Sequence, residues 1–517
     1  MPPKVLVIAG SDSSGGAGLE ADQRVLTAHG VYSLTATTGL TAQNTLGVQD
    51  IHIVPAGFVQ KQINAALEDV GADVVKLGML SSAQTVDVIA EELTRHAVKT
   101  IVLDPVMVST SGSRLLPLDA IEHVRSKLLP LTTILTPNIP EAQLLLENAG
   151  VAVSEPQNVD DMIRLAKQVK GLGAKAVLLK GGHLPFTSDR MRAKASSGDD
   201  ASIVIDVLVY STNGSEHDDE VLLTETEFLT SKNTHGTGCS LASAVAANLA
   251  RGNDLKTSVR SAIKYVEAGI KFSVDMGQGS GPINHFHSLY HLPFAPGQFV
   301  DYILNRPDMQ PIWQRFTHHP FVAGLGDGTL PVQKFKDYLV QDYLYLVQFA
   351  RSNALASYKA RSMESIAASA RIVLHIKTEM ALHIDYCASF GLTREEMEAT
   401  PERQACVAYS RYILDVGQSD DWLALQIALA PCLIGYGAIA RRLYDDGSSV
   451  RGEQNNKFWK WIENYVAEDY VTAVKTGSTL LEEHMHKVSP SRLEELVTIF
   501  KRATELEIGF WDMGLDS

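Results

Sequence analysis

The segment Asn233-Thr-His-Gly-Thr-Gly-Cys239, followed by a run of small residues, could bind a phosphoryl group with a thiol beside it. Backbone N–H groups of the turn at Gly236, Thr237 and Gly238 would point at one spot. A helix beginning there would add its positive end. We predict that this turn binds the transferred phosphoryl group and that Cys239, its pKa lowered by such surroundings, is catalytic. A plain tight turn into a buried helix is the alternative.

Two carboxylates near the ends of predicted strands could hold Mg²⁺ beside nucleotide phosphates. Asp104 lies in Leu-Asp-Pro-Val-Met, and Glu141 lies in Thr-Pro-Asn-Ile-Pro-Glu-Ala. Such groups bind Mg²⁺ directly or through water. Taken alone, each acid is more typical of a solvated loop or a helix cap. Lys180, in Leu-Lys-Gly-Gly-His, could neutralise phosphate charge or simply end a strand.

A glycine-rich turn from Gly10 to Gly18 follows the first predicted strand, although such turns also serve close packing. Asp22 lies one turn into the helix that comes next. Gln43 stands in Thr-Ala-Gln-Asn-Thr, and its amide offers a donor and an acceptor. An aminopyrimidine edge presents the complementary pair. Gln43 is therefore a candidate for binding such a ring.

Three pairs lie at helical spacing in the second half, namely Asp342 with Tyr345, Cys432 with Tyr436, and Glu507 with Phe510. Each pair shares one face of its helix. A thiol, two carboxylates and several aromatic rings inside a bundle would form a pocket for a flat heterocycle, with a nucleophile. Periodicity alone favours the simpler interpretation, in which these are core or surface residues.

A stripe spaced by four, His375, Glu379, His383 and Cys387, contains only metal-ligand types. At 1.5 Å per residue the outer two lie about 18 Å apart, so one ion cannot use all four. No second Glu-x-x-His appears in this half, which disfavours a di-iron bundle. We interpret the stripe as packing and hydrogen bonding within the bundle.

The first half alternates short aliphatic runs with amphipathic stretches such as Phe58–Val70 and Val159–Val169. This pattern predicts βα units around a mostly parallel sheet. The predicted strands are Val5–Ala9, Val74–Leu77, Ile101–Leu103, Thr133–Leu135 and Ala176–Leu179. Ligands on such sheets bind beyond the carboxyl ends of the strands. The notable residues follow or close a strand: Gly10, Lys76, Asp104, Asn138 and Lys180.

The strand signal fades from about residue 310, and long amphipathic stretches predict an all-helical domain. The predicted helices are Pro331–Tyr358, Met363–Phe390, Pro401–Leu414, Asp421–Leu443, Phe458–Ala473, Thr476–His486 and Pro490–Phe510. Glycine-rich and then aromatic, Pro-containing sequence joins the halves. We predict domains at 1–290 and 309–517 with a linker at 291–308, and a surface loop at Thr187–Ser202.

The chain has 517 residues, 45% of them hydrophobic, and a formal net charge of −15. Its length predicts at least two domains, and its charge disfavours a nucleic-acid partner. The sequence contains no run of 18 apolar residues that would predict a membrane span, and its start lacks the pattern of a signal peptide. The four cysteines form no CxxC pair, which indicates reduced thiols in a cytoplasmic protein.

The motifs of the first half together resemble the hydroxymethylpyrimidine/phosphomethylpyrimidine kinase family, within the α/β ribokinase-like fold. They run in order from Val5 to about Tyr290: GSDSSGGAG, TAQNT, KLGML, LDPVM, TPNIPEA, KGGH, NTHGTGC and GPINHFH. The resemblance implies phosphorylation of 4-amino-5-hydroxymethyl-2-methylpyrimidine and then of its monophosphate, with ATP and Mg²⁺. It implies that the pyrimidine is contacted by Asp22 and Gln43 in a pocket lined by Gly10 and Met79. Cys239 would orient or deprotonate the attacking hydroxyl.

The second half resembles the TenA/thiaminase II family, an all-α heme-oxygenase-like bundle, through FKDYLVQDYLYL, ALHIDY, APCLIGY and ELEIGFWDM. The resemblance implies release of hydroxymethylpyrimidine from thiamin or an aminomethylpyrimidine. Cys432 would be the nucleophile, Glu507 the proton donor and Asp342 the group that holds the aminopyrimidine. The implied pocket is lined by Tyr345, Tyr409, Tyr436 and Phe510. Family members often carry a tyrosine near the position of Phe458, so the resemblance does not say which residue forms that wall of the pocket.

The leading hypothesis is a bifunctional enzyme of thiamin-pyrimidine salvage that acts on small-molecule pyrimidines. It would bind neither nucleic acid nor a membrane, and both families imply a homo-oligomer. One alternative is a pyridoxal-type kinase, since related ribokinase-like enzymes accept pyridoxine. Another is that the helical half is a non-catalytic binding module. Gln43 favours the pyrimidine over pyridoxine, and the Cys and Glu of the second half favour catalysis there.

Overall fold

The computed structural model describes residues 2–107, 116–182, 184–187, 190, 192, 202–211 and 219–516, without the side chains of residues 375, 378, 379 and 382. The chain divides into two compact units, Met1–Leu289 and Tyr290–Ser517. The predicted surface loop at Thr187–Ser202 falls largely outside the described residues.

The described part of the first unit alternates strands and helices, as an α/β fold requires. Its strands are β1 (Lys4–Asp12), β2 (Tyr32–Asn44), β3 (Gly47–Ile53), β4 (Val74–Leu77), β5 (Ile101–Leu103), β6 (Ile134–Leu135), β7 (Ala176–Leu179), β8 (Ile203–Ser211) and β9 (Asp219–Glu227). Its α-helices are α1 (Gly18–Ala28), α2 (Ala56–Asp69), α3 (Ala83–Arg95), α4 (Leu118–His123), α5 (Ile139–Asn148), α6 (Val159–Lys170), α7 (Thr237–Ala250) and α8 (Leu255–Lys271).

These strands form one sheet in the order β3-β2-β1-β4-β5-β6-β7-β8-β9. The strands from β2 to β7 in that order are parallel, while β3, β8 and β9 are antiparallel additions. All five predicted strands are present. The sequence did not predict β2, β3, β8 or β9. The strands β2, β3 and β9 carry many polar residues and lack the continuous apolar run of a strand buried on both faces. Strand β8 has an apolar run, interrupted only by Asp206, and was missed.

Successive residues of β1 face two different hydrophobic cores, which explains why its whole run is apolar. Leu6 and Ile8 pack with α2 to α6 on one face of the sheet. Val5, Val7 and Ala9 pack with α1, α7 and α8 on the other face. Helices on both faces bury the parallel strands, so their carboxyl ends alone stay open for ligands.

The second unit is helical throughout its described residues, as the sequence predicted. Its helices are α9 (Phe299–Asn305), α10 (Gln310–Thr317), α11 (Pro320–Asp327), α12 (Val332–Lys359), α13 (Met363–Ser389), α14 (Arg394–Ala399), α15 (Gln404–Ser419), α16 (Trp422–Asp445), α17 (Trp459–Val466), α18 (Glu468–Met485) and α19 (Pro490–Leu515). Helix α16 is long and apolar enough to cross a membrane by composition, but 67% of its apolar window is buried within the bundle.

The predicted helix Phe458–Ala473 and its neighbour Thr476–His486 are wrong in their boundary. The helix is interrupted earlier, at Ala467, whose backbone is extended between α17 and α18. It then continues as helix through the predicted gap at residues 474–475 and through Gly477, which follows that gap. A Cβ at Gly477 would lie 2.4 Å from Leu433 of α16. This glycine therefore serves close helix packing rather than helix termination.

Residues 291–308 contain a helix that belongs to the core of the second unit, although the sequence suggested a linker there. Phe299 and Ile303 of α9 are fully buried in that core. The carboxylate of Glu482 accepts hydrogen bonds of 2.8 Å from the backbone N–H groups of Phe299 and Val300. It thereby caps the helix start, which is otherwise unsatisfied.

We predict that a fragment of residues 290–517 is more stable than a fragment of residues 309–517. Losing Phe299 and Ile303 removes two buried side chains worth about 1.5–3 kcal/mol each, so the free energy of unfolding should fall by about 3–6 kcal/mol. Urea unfolding of the two fragments measures the difference. Tyr290→Ala is the control, because Tyr290 is 75% exposed and its loss should cost under about 0.5 kcal/mol. Equal stability of the fragments would contradict the role of α9.

Candidate functional sites

The turn before α7 packs against the glycine-rich turn after β1, so the two turns form one site. Gly236 caps α7 with a φ of +78°, and a Cβ there would lie 1.9 Å from the carbonyl oxygen of Gly16. Gly18 has a φ of +57°, and a Cβ there would lie 2.4 Å from the carbonyl oxygen of Gly10. Neither position has room for a side chain, so both need glycine.

Lys180 lies between the two predicted metal-binding carboxylates. Its Nζ is 2.8 Å from Asp104 Oδ1 and 3.9 Å from Glu141 Oε2. Although burial opposes its charge, Asp104 and Glu141 raise the pKa of Lys180. Burial also raises the pKa of Glu141 to about 7, against the attraction of Lys180. A Cβ on Gly238 would lie 3.1 Å from Lys180 Nζ, so this ammonium group lies beside the phosphate-binding turn.

A cavity of about 740 Å³ lies at the carboxyl ends of the strands. It is lined by most of the predicted residues of the first unit: Gly10, Gln43, Met79, Asp104, Glu141, Lys180, Gly236, Thr237, Gly238 and Cys239. One part of its wall is apolar, with Ile263, Val266 and Ile270 of α8. The structure therefore brings together motifs that are scattered over the whole first half of the sequence.

Asp22 does not line this cavity, which contradicts its expected place against the substrate. It is fully buried and accepts hydrogen bonds from Lys76 Nζ at 2.8 Å and from Ser243 Oγ at 2.7 Å. Burial opposes the charge of Lys76, but Asp22 raises its pKa. The carboxylate of Asp22 therefore holds an ammonium group that does line the cavity. The sequence offered one signal for it, a lysine within the apolar run of β4.

The expected lowering of the Cys239 pKa is wrong. Cys239 is part-exposed to the cavity, but burial of its thiol raises the pKa to about 12, although the Lys76 ammonium opposes the rise. The desolvation of the thiolate outweighs the effect of the positive helix end and of the nearby lysine. Cys239 therefore stands at the turn as a neutral thiol, which can orient a hydroxyl through a hydrogen bond.

Gln43 lies at the cavity wall, where its amide contacts two other side chains. Gln43 Nε2 is 3.2 Å from His235 Nε2, and Gln43 Oε1 is 3.2 Å from Thr41 Oγ1. His235 Nε2 also lies 2.9 Å from Asp12 Oδ2. The sequence gave no role to His235 or Asp12, although both stand within the quoted motifs. Their polar side chains within the two glycine-rich turns were the available signal.

In the second unit, four helices bring the predicted residues into one buried cluster. Asp342 and Tyr345 come from α12, Tyr409 from α15, Cys432 and Tyr436 from α16, and Glu507 and Phe510 from α19. Tyr409 Oη donates a 2.7 Å hydrogen bond to Glu507 Oε1. The rings of Tyr345 and Tyr409 stack with centroids 5.0 Å apart. These contacts make parallel aromatic faces beside a carboxyl group and a thiol.

Burial shifts the proton equilibria of this cluster toward neutral forms. It raises the pKa of Glu507 to about 8, against the hydrogen bond from Tyr409 and with the negative Asp342 adding to the rise. It also raises the pKa of Cys432 well above the ordinary thiol value, with Glu507 and Asp342 contributing. Glu507 therefore exchanges its proton near neutral pH, whereas Cys432 needs a partner to remove its own.

Tyr465 forms a wall of the cluster that the sequence left open. Its ring lies 5.3 Å from that of Tyr436, and it interacts electrostatically with Cys432. Phe458 instead packs on Phe335, with ring centroids 4.7 Å apart. Tyr465 follows Trp461 by one helical turn on α17, and the predicted helix Phe458–Ala473 contained it without giving it a role. Its place in the cluster comes from tertiary packing, which the periodicity of the sequence does not show.

The stripe of α13 gives no metal cluster among the described side chains. His383 Nε2 lies 3.2 Å from the carbonyl oxygen of Leu339, and His383 Nδ1 lies 3.9 Å from Asp342 Oδ2. Cys387 is fully buried in the core. The side chains of His375 and Glu379 lie outside the described part. The described half of the stripe thus serves hydrogen bonding and packing.

Comparison with known proteins finds one family for each unit. A family model described as phosphomethylpyrimidine kinase matches residues 12–284. A second model, described as the TENA/THI-4/PQQC family, matches residues 306–517. The two matches cover the α/β unit and the helical unit in turn.

Full-length relatives combine the same two parts. A Schizosaccharomyces pombe protein, which bears a provisional name as a hydroxymethylpyrimidine/phosphomethylpyrimidine kinase, is 42% identical over 511 residues, covering 99% of this chain and 90% of that protein. A hydroxymethylpyrimidine/phosphomethylpyrimidine kinase of Saccharomyces cerevisiae is 33% identical over 549 residues, covering 99% and 96%. Among solved structures, an ADP complex of Bacillus subtilis pyridoxal kinase is 31% identical with a TM-score of 0.46, covering 56% of this chain and 98% of that one.

We predict that Gly236→Ala lowers phosphoryl transfer by about 100-fold or more, because a Cβ would push the turn away from Gly16, and displacements of about 1 Å have effects of this size. Gly252→Ala is the matched control. Gly252 follows the other end of α7 with a φ of +86°, and a Cβ there would meet nothing within 4 Å. Initial rates of ATP consumption on both variants measure the effect. Equal rates would show that the approach of the two turns is dispensable.

We predict that the pKa of Glu507 makes the folded chain less stable as the pH rises from about 4.5 to about 8. In this window the folded state keeps a proton that the unfolded state has lost, so the free energy of unfolding falls by about 1.4 kcal/mol per pH unit. Glu507→Gln removes this decline, so the stability of the wild type relative to this variant should fall with pH. Denaturant unfolding at several pH values tests it, with Glu505→Gln, an exposed site on the same helix, as the control. A pH-independent difference would contradict the raised pKa.

Proposed function

Because the chain belongs to the phosphomethylpyrimidine kinase family, we propose that it is a bifunctional enzyme of thiamine biosynthesis and salvage. Its first unit phosphorylates 4-amino-5-hydroxymethyl-2-methylpyrimidine and its monophosphate with ATP. Its second unit hydrolyses thiamin or an aminomethylpyrimidine to the hydroxymethylpyrimidine. The second activity yields the alcohol that the first one uses. The observation that carries the kinase proposal is the single cavity that joins the glycine turns, the lysines and Gln43.

In the kinase unit, catalysis rests on positioning and on charge. The substrate ring lies against Gly10, Gln43 and Met79, which line one side of the cavity. Backbone N–H groups at the start of α7 bind the transferring phosphoryl group, and the ammonium groups of Lys76 and Lys180 offset its charge. The neutral thiol of Cys239 orients the attacking hydroxyl. Its raised pKa argues against a role as the general base.

Asp104 and Glu141 fit a Mg²⁺ ion that accompanies the nucleotide, because hard carboxylate oxygens at the cavity wall are what this ion prefers. When bound, the ion would supply positive charge to the phosphates. Lys180 already pairs with Asp104, and the described residues hold no cluster of three acids or other ligands. The two carboxylates therefore suit binding through water and phosphate oxygens rather than a closed protein site.

In the helical unit, the observation that carries the proposal is the group formed by Cys432, Glu507 and Tyr409, in which Cys432 is part-exposed beside two buried residues. Cys432 attacks the pyrimidine ring and forms a covalent adduct, while its proton passes to Glu507. Glu507 then gives that proton to the amine, which leaves from the exocyclic methylene carbon. Water adds to that carbon to form the alcohol, the ring expels the Cys432 sulfur, and the proton that the water gives up restores the thiol. A carboxyl pKa of about 8 suits both transfers near neutral pH. Burial of the thiol makes the help of Glu507 necessary.

The remaining cluster residues suit a flat aminopyrimidine. Asp342 accepts hydrogen bonds from the amino group and polarises the ring, which favours attack by the thiol. Tyr345 and Tyr409 offer stacked aromatic faces, with the Phe510 ring edge-on to Tyr345 at 5.8 Å. Tyr436 closes the side next to Cys432. Aromatic faces of this kind hold planar rings with fixed geometry.

We further propose a cytoplasmic homo-oligomer. All four cysteines are free thiols, which suits a reducing compartment. The oligomeric state is an expectation from both families. Light scattering of the purified protein would measure its mass against the 56.2 kDa of one chain. A monomer would contradict the proposed association while leaving both activities in place.

The decisive experiment for function is to incubate the protein with aminomethylpyrimidine, with and without Mg-ATP, and to identify the products. We expect hydroxymethylpyrimidine without ATP and its phosphates with ATP. We predict that Cys432→Ser abolishes release of the alcohol, because a serine hydroxyl is far less ionised than a thiol. Glu507→Gln should also stop release but still bind substrate. Both variants should phosphorylate added hydroxymethylpyrimidine at the wild-type rate.

Cys406→Ser is the matched control, since Cys406 is a buried cysteine of the same unit whose Sγ donates to the carbonyl oxygen of Gln341 at 3.7 Å. A serine can keep that bond, so release should continue. Wild-type release by Cys432→Ser would remove Cys432 from the mechanism. Pyridoxal added in place of the pyrimidine tests the other kinase substrate. Faster turnover of pyridoxal than of hydroxymethylpyrimidine would overturn the proposed specificity.

A further inference from the structure

The contacts of His235 are inconsistent with one of the two orientations of the Gln43 amide. His235 Nε2 lies 2.9 Å from Asp12 Oδ2. Burial opposes the charge of Asp12, but hydrogen bonds from His235, Ser14 and Ala17 lower its pKa to about 2. An ionised carboxylate only accepts, so His235 Nε2 must carry a hydrogen. With Gln43 Nε2 at 3.2 Å from the same nitrogen, two donors would face each other.

The other side of the amide shows the same conflict. Thr41 has one hydroxyl proton, and its Oγ1 lies 2.9 Å from the carbonyl oxygen of Ser11, which accepts it. Gln43 Oε1 then lies 3.2 Å from Thr41 Oγ1 as one acceptor facing another. Rotating the amide by half a turn removes both conflicts. The nitrogen and oxygen of an amide are distinguished by such networks rather than by shape.

We infer that His235 is a positioning residue that fixes the orientation of the Gln43 amide, with Nε2 donating to Thr41 and Oε1 facing the Nε2–H group of His235. That single hydrogen is shared between Asp12 Oδ2 at 2.9 Å and Gln43 Oε1 at 3.2 Å. Asp12 in turn holds His235, since it also accepts backbone N–H bonds from Ser14, Gly16 and Ala17. One N–H and one oxygen lone pair of Gln43 then remain for a ligand in the cavity. His235, rather than Gln43 itself, decides which side of the cavity wall presents the amide N–H and which presents the amide oxygen.

This inference rests on the proposed function for its consequence, which is selection among pyrimidines. A 4-aminopyrimidine presents an amino donor next to a ring-nitrogen acceptor, which complements the oxygen and N–H of a fixed amide. The 4-oxo analogue presents the reverse, a carbonyl acceptor next to a ring N–H donor. A freely rotating amide would serve both rings equally. An amide locked by His235 binds the amino ring and leaves mismatched polar groups with the oxo ring.

The test compares kcat/KM for hydroxymethylpyrimidine and for its 4-oxo analogue, 5-hydroxymethyl-2-methylpyrimidin-4-one. We expect the wild type to favour the amino ring by roughly 100-fold or more. His235→Met removes the donor, and the preference should fall below roughly 10-fold. His235→Gln returns an N–H donor at this position and should restore most of the preference. The KM for ATP should change little in either variant.

His285→Met is the matched control for damage to the fold. His285 is another buried histidine of this unit, 3% exposed, and its Nε2 lies 3.1 Å from Ser240 Oγ. Its loss should lower the rates with both rings alike and leave their ratio unchanged. A His235→Met variant that also loses rate with both rings alike would assign His235 a merely structural role and overturn the inference.

A second measurement is independent of activity. In the full chain labelled with ¹⁵N-glutamine, the side-chain amide protons of Gln43 should show nuclear Overhauser effects to the methyl group of Thr41, and these should weaken in His235→Met. Effects to the ring protons of His235 in place of Thr41 would show the opposite orientation and overturn the inference. If the wild type bound neither pyrimidine while these effects appeared as expected, the proposed function would fail and the orientation would stand.

Discussion

The site of the α/β unit depends on one backbone approach, that of Gly236 to the carbonyl oxygen of Gly16. Neither segment can retreat, because one follows the central strand β1 and the other begins α7, whose small residues pack into the sheet. The absence of a Cβ at Gly236 is what allows the two turns to share a cavity. The lysines, the thiol and the amide then occupy positions that this approach has already determined.

Much of this arrangement was predictable from sequence. The apolar runs of β1, β4, β5 and β7 read as buried parallel strands, and strand ends in such sheets converge. The strands β2, β3 and β9 were missed because they are rich in polar residues, among them the threonines of β2 and the acidic residues of β9. Whether such a polar segment forms a strand depends on the neighbouring strand with which it pairs, and the local sequence pattern does not show that partner.

The candidate sites were predictable as residue types but not as electrostatic environments. Asp22 and Cys239 illustrate the gap: the first turned out to neutralise Lys76, and the second lost its expected acidity to burial. Helix ends and charged neighbours can be inferred from sequence, whereas the degree of desolvation depends on packing by remote segments. Tyr465 makes the same point, since its place in the helical site comes from its ring packing beside Tyr436 of another helix.

The alternating packing of β1 has a consequence for how this unit can vary in length. Because both faces of β1 meet apolar layers, a deletion of one residue would exchange the layers that its side chains enter without exposing them to water. Hydrophobicity thus hardly specifies the register of this strand. Its register is instead anchored by the turn that follows, whose position would move by about 3.3 Å. An insertion or deletion in β1 would therefore disturb the chemistry at the end of the strand even where its side chains stayed in apolar layers.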